Sequence, residues 1–143
     1  MGVHDVGRAV LQGVHVLLVE DQTDGRALLH SMLTYGGALV TTADSAETAL
    51  ASLARLVPEI VVCSLRPGAG WDSDSFLKRL RALPASEGGA VPVVAVTDSS
   101  DLPGPTSGPG AVFQAHVRRP VDPQVMCRTL AELADRYRES LAT

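Results

Sequence analysis

At 143 residues the chain fits one domain, able to bury roughly two-thirds of its unfolded surface. Its residues are 45% hydrophobic but only 3% aromatic, so Val, Leu, Ala and Ile must fill the core, as suits a buried parallel sheet flanked by helices. A net charge of −4 argues against non-specific nucleic-acid binding.

No run reaches the roughly 18 to 20 apolar residues that cross a bilayer, and Met1-Gly2-Val3-His4-Asp5 lacks the basic and apolar regions of a secretory leader. The two cysteines, Cys63 in an apolar run and Cys127 in a helical pattern, lack the spacing of a disulfide framework and indicate a reducing compartment. These features predict a soluble, cytoplasmic protein with no membrane partner.

In chain order, residues 1–13 read as an N-terminal extension, 14–139 as the domain and 140–143 as a tail. Val14 to Val19 is a short apolar run ended by Glu20-Asp21, the pattern of a buried strand. Asp24 is placed to cap a helix with Ala27, Leu28, Met32 and Leu33 on its apolar face, stopped by Gly36-Gly37. Ala38 to Thr42 is a second strand. Ser45 then caps a helix carrying Ala46, Ala49, Leu50, Leu53, Leu56 and Val57, with Glu47 near its N-terminal dipole and Pro58 beyond its end.

Glu59 to Ser64 is the third strand, and Phe76, Leu77, Leu80 and Leu83 mark a third helix before Pro84. Pro92 to Thr97 and Phe113 to Val117 are the fourth and fifth strands. Asp122-Pro123 opens a last helix, with Pro well placed in the first turn and Val125, Met126, Thr129, Leu130, Leu133 and Tyr137 turned inward. Strands alternating with helices predict an α/β fold with a doubly wound, five-stranded parallel sheet. Between Thr97 and Phe113, Pro103, Pro105 and Pro109 with Gly104, Gly108 and Gly110 oppose a helix, at about 3 kcal/mol per interior Pro and about 1 per Gly. The helix of this fourth crossover is therefore expected to be missing or melted.

In such a sheet the carboxyl ends of the strands meet along one edge, where these folds place their sites. That edge collects Glu20-Asp21, Ser64, Thr97 and Arg118-Arg119-Pro120. Asp21, Ser64, Thr97 and Arg119 follow one another at spacings of 43, 33 and 22 residues. From about Val14 to Tyr137 this set resembles the receiver domains of two-component response regulators, the CheY-like superfamily. The run Phe113 to Pro123 is especially similar to receivers of hybrid histidine kinases. The resemblance implies the flavodoxin-like strand order 2-1-3-4-5. It also implies a pocket in which an acidic pair and an acceptor aspartate hold Mg²⁺, a hard cation that takes oxygen ligands, while a Thr hydroxyl and a Lys contact the phosphoryl group.

Glu20, Asp21 and Thr97 match that pattern; Ser64, in the acceptor's place, and Arg119, in the lysine's, do not. A serine hydroxyl is a poor nucleophile without an adjacent base, and the sequence offers none in an obvious place. Arg119 cannot shed its proton and forks well onto carboxylates, so it is expected to bridge Glu20 or Asp21 and make the metal dispensable, with Arg66 completing the neutralisation. Asp98, after Thr97, should repel an incoming phosphate. Mg²⁺ binding is thus expected to be weak or absent, and no other cofactor is implied.

The resulting expectation is a phosphorylation-independent pseudo-receiver, with no enzymatic activity, that binds a signalling protein (a kinase, regulator or output protein) in bacterial signal transduction. Trp71, Arg66 and His116 are its candidate partner contacts, since an exposed lone aromatic is costly without one. Each also has a plainer reading, Trp71 as a cover for the vacated pocket and His116 as a half-exposed strand residue. A homodimer stays open, but not through the face that receivers build with their fourth helix. Two alternatives stay open: a Mg²⁺-dependent receiver with Asp72 or Asp74 as acceptor, and a small-ligand sensor using the strand-end crevice.

Overall fold

Five short strands, β1 (His15–Val19), β2 (Leu39–Ala43), β3 (Ile60–Ser64), β4 (Val93–Thr97) and β5 (Ala115–Arg118), pair in parallel in the order β2-β1-β3-β4-β5. The computed structural model describes residues 10–64, 73–98 and 113–142. Both the doubly wound sheet and its predicted strand order are present. The crossover from β4 to β5, where the sequence argues against a helix, lies in residues 99–112 and so outside the described residues, as do Arg66, Trp71 and Asp72.

Period-two alternation sorts the strand side chains between two layers. Val16, Leu18, Ile60, Val62, Val94, Val96 and Val117 pack with Leu29 and Leu33 of α1 (Thr23–Tyr35) and with Met126 and Leu130 of α4 (Pro123–Ala142). On the other face Leu17, Val19, Val61, Cys63, Val93 and Ala95 meet Ala49 and Leu53 of α2 (Ala46–Arg55) and Phe76, Leu77 and Leu80 of α3 (Ser73–Arg81). Every residue of β3 and β4 is buried. That is why these two segments read as unbroken apolar runs rather than alternating ones.

Capping decides where the helices start. Ser45 Oγ accepts from Thr48 N at 3.2 Å, and Asp122 Oδ1 accepts from Gln124 N at 2.9 Å and Val125 N at 3.2 Å, with Pro123 as the first helical residue. Asp24 does not cap α1. Gln22 is the extended residue before that helix and gives it no side-chain bond, so Asp24 falls in the first turn, where a carboxylate meets the positive end of the dipole. Four predicted core residues point outward: Ala27, Leu28 (58% exposed), Leu56 (62%) and Val125 (44%). In α1 the buried face runs through Leu29 and Leu33, one position on from Leu28. Leu56 follows the last turn of α2 with extended backbone and leaves the apolar stripe.

Leu11, read from the sequence as part of an extension, is fully buried, and its amide donates to Gly36 O at 2.9 Å. Two arginine clamps, one of them an ion pair, close the fold away from the carboxyl edge. Glu59 Oε1 accepts from His15 N (3.1 Å) and Arg138 Nη2 (2.8 Å), and Arg138 Nε bonds Glu59 Oε2, which fastens α4 to the start of β1 and β3. Arg81 donates to Gly89 O (3.1 Å), Val91 O (2.6 Å) and Gln114 Oε1 (2.9 Å), and the last oxygen also accepts from Val93 N at 2.7 Å. No helix among the described residues is long and apolar enough to cross a membrane.

Candidate functional site

Register assembles the site. Val19 pairs with Cys63, Ser64 with Val96 and Thr97 with Arg118, so Glu20, Ser64, Thr97 and Arg119 are delivered side by side from four strand ends. Glu20 is held by its backbone first: its amide donates to Ala43 O at 2.9 Å, and its carbonyl accepts from Arg26 Nη1 at 2.9 Å. Arg119 N likewise donates to Thr97 O at 2.8 Å. The Arg119–Pro120 peptide is cis.

Glu20 is completely buried, and so is Ser64. A buried carboxylate is costly unless it is hydrogen-bonded and paired, and both of its oxygens are engaged. Oε1 accepts from Ser64 Oγ at 2.9 Å and Oε2 from Gln22 N at 3.1 Å. Arg119 closes the cluster. Its Nη2 donates to Ser64 Oγ and lies 3.8 Å from Glu20 Oε1, while its Nη1 donates to Asp98 Oδ1 at 3.0 Å. Ser64 is therefore a two-way link, giving its proton to the carboxylate and taking one from the guanidinium.

The predicted pairing of Arg119 with the acidic residues takes this form, through Ser64 and onto Glu20. Two expectations change. Glu20 is a base adjacent to Ser64, which the sequence did not reveal because the two lie 44 positions apart. Even so, the hydroxyl is fully buried and already bonded on both sides. Asp98, expected to repel phosphate, is 55% exposed and forms an ion pair with Arg119. Thr97 is buried beside the cluster, and His116 is exposed on the edge strand β5. Trp71 and Arg66 lie outside the described residues. Two contributors were missed: the Gln22 amide and Arg26. A turn residue following an acidic pair is the only sequence signal for the first.

The fit to Mg²⁺ can be judged from the donors themselves. Glu20, Asp21 and the Ser64 hydroxyl are the oxygens nearest to hand, but Mg²⁺ demands near-octahedral oxygen ligation, usually anchored on carboxylates. Here the third carboxylate is replaced by a neutral hydroxyl, both Glu20 oxygens already accept hydrogen bonds, and a guanidinium is bonded to that hydroxyl. Among the described residues no group of three His, Cys, Asp or Glu is placed to hold a metal. Among the described residues, this donor set does not fit the ion. Nearby, burial raises the Cys63 thiol pKa far above its ordinary value, and the Glu20 charge adds to the effect.

No family model matches the chain. A 14.6 kDa protein from the sodA1 3′ region of Leptolyngbya boryana is 30% identical over 122 residues, 85% of this chain and 91% of that protein. Among solved structures, the receiver domain of the Pseudomonas aeruginosa sensor histidine kinase PA1611, which has a magnesium ion in its active-site cleft, superposes with a TM-score of 0.72 at 23% identity, over 86% of this chain and 98% of that one. The Vibrio cholerae chemotaxis response regulator CheY4 gives 0.71 at 20% identity over 85% and 99%. A CheY-like receiver protein from Methanospirillum hungatei gives 0.73 at 18% over 90% and 99%. The chain thus belongs to one family with the Leptolyngbya protein, and its fold is that of the CheY-like response-regulator receiver domains.

Proposed function

We propose that this chain is a phosphorylation-independent pseudo-receiver: a non-enzymatic module that binds a signalling protein in bacterial signal transduction. One observation carries the reading. At the strand end where receivers hold their acceptor aspartate, Ser64 is buried and bonded to both Glu20 and Arg119. A second departure supports it. Arg119, where receivers hold a lysine, is committed to Ser64 and Asp98 instead of being available to an incoming phosphoryl group. Weak or absent Mg²⁺ binding belongs to the same proposal.

Incubation with a small phosphodonor and Mg²⁺, followed by intact-mass measurement, tests it. The expected spectrum shows the unmodified mass throughout. A phosphoryl adduct, labile on Asp72 or Asp74 or a stable ester on Ser64, would replace this reading with that of a working receiver using a non-standard acceptor.

A further inference from the structure

At the opposite end of the sheet from Ser64, a cleft of about 320 Å³ opens between the last turn of α2 and the early residues of β1 and β2. Leu17 and Leu56 supply its apolar surface, and His15, Thr41, Ser52 and Arg55 its polar one. Nothing in the pseudo-receiver reading uses this cleft. We propose that it is a binding site for a small organic monocarboxylate with a compact apolar body.

Three features lead there. First, one polar atom of the wall is not consumed internally. His15 Nε2 bonds Thr41 Oγ1 at 2.9 Å, but His15 Nδ1 is buried with no hydrogen-bond partner among the described residues. A buried polar atom of this kind in a native protein calls for an explanation. When Thr41 Oγ1 donates to Nε2, the ring proton sits on Nδ1, as a donor lacking an acceptor. Because Nδ1 is buried, a carboxylate oxygen becomes its acceptor only when the imidazole turns and gives up its Thr41 bond.

Second, charge selects the ligand class. Glu59, whose Oε1 accepts from His15 N, is neutralised by its two bonds to Arg138. The C-terminal end of α2 contributes roughly −0.5 of a charge against the full positive charge of Arg55. The balance favours one negative charge and is too small for a phosphate dianion. Third, size limits the body. Ligand sites span roughly 300 to 1,000 Å³, so this cleft is at the small end and suits a single ring or a short chain resting on Leu17 and Leu56.

The test is a titration of the full-length, ¹⁵N-labelled protein with sodium benzoate, monitored by amide shifts, with sodium chloride at matched ionic strength as reference. Saturable shifts confined to the neighbourhood of His15, Thr41, Ser52 and Arg55 are expected, with a Kd of about 1 mM. Arg55→Ala should weaken binding about tenfold, the loss of one charge-assisted contact, whereas Arg128→Ala, on the exposed side of α4, should leave it unchanged. Arg55 is exposed, so its removal does not endanger the fold. Shifts that fail to saturate, that chloride reproduces, or that persist undiminished in Arg55→Ala overturn the proposal. The phosphodonor experiment is independent of this one, so either reading can fail without the other.

Discussion

Ser64→Ala is the most direct test of the cluster at the carboxyl edge. The substitution removes one oxygen and leaves the backbone of β3 untouched. Glu20 Oε1 then loses its Ser64 donor and retains Arg119 Nη2 at 3.8 Å, and Arg119 loses its Ser64 acceptor. A hydrogen bond to a charged group contributes about 1.5–3 kcal/mol, and leaving a buried acceptor unsatisfied costs in the same range. Two such bonds disappear, but the Arg119 side chain is 21% exposed and can turn to water, whereas Glu20 is wholly buried. Only the Glu20 bond is therefore counted in full, which gives about 2 kcal/mol. In urea this lowers the midpoint by about 1 M, and in a thermal scan it lowers Tm by about 8 °C for a domain of this size. Repeating the change on a Glu20→Gln background, where the carboxylate charge is gone, should shrink the cost by about 1 kcal/mol, the signature of coupled neighbours. A serine that merely ends a strand costs within about 0.5 kcal/mol. A loss that small, or full additivity with Glu20→Gln, would refute the linkage argued here.

The other clamps give sharper readouts of position and pH. Arg138 holds the Glu59 carboxyl below its ordinary value of 4.5, chiefly through their side-chain hydrogen bond. A depressed acid stabilises the fold above the unfolded value, and that contribution is lost as pH falls through the folded one. Arg138→Ala should thus cost about 0.5–1 kcal/mol at pH 7, as befits a partly exposed pair, and nothing once both states are protonated; an undiminished difference at low pH in urea melts contradicts it. Gln114→Leu should cost about 2 kcal/mol by leaving Arg81 and the Val93 amide without their shared acceptor, and a midpoint unchanged in the same melts sinks that assignment. Cys63 and Cys127 are both buried, and burial raises both thiols. An aromatic disulfide reagent should therefore modify them only at the rate of opening, accelerating with urea, while rapid labelling of the native protein refutes their burial.

The strands and the site edge were legible because each rests on a local signal. Apolar runs bounded by Glu20-Asp21 or Pro58 can be read residue by residue, and strand ends of a parallel sheet converge whatever their loops. Ser45 and Asp122 were legible as caps for the same reason. Leu28 and Val125 were not, because each neighbours a residue that is also apolar, Leu29 and Met126, and only packing decides which of the two turns inward. The bonds of Ser64 to Glu20 and of Asp98 to Arg119 span 44 and 21 positions. No periodicity encodes them, and Asp98 could be read only for its charge until its partner was in place. The same holds for Glu59–Arg138, 79 positions apart.

What the cluster does mechanically follows from what a switch requires. A ligand shifts a conformational equilibrium only through a difference in its affinity for the two states. In a receiver the phosphoryl group and its metal supply that difference at the ends of β1, β3 and β5. Here the same strand ends are already tied together by protein groups: Glu20 after β1, Ser64 at the end of β3 and Arg119 after β5, with Asp98 joining from β4. On the proposed reading the chain supplies internally the bridging contacts that the phosphoryl group and metal would otherwise bring, so it holds one arrangement without an input. Binding of its signalling partner should then be constitutive, with the same Kd in the presence of Mg²⁺, a phosphodonor or a chelator. Loosening the link through Ser64→Ala should change that Kd even though Ser64 is buried and touches no partner. A partner affinity that rises with Mg²⁺ and phosphodonor, or one that ignores Ser64→Ala in protein shown to be folded, would detach the cluster from the function.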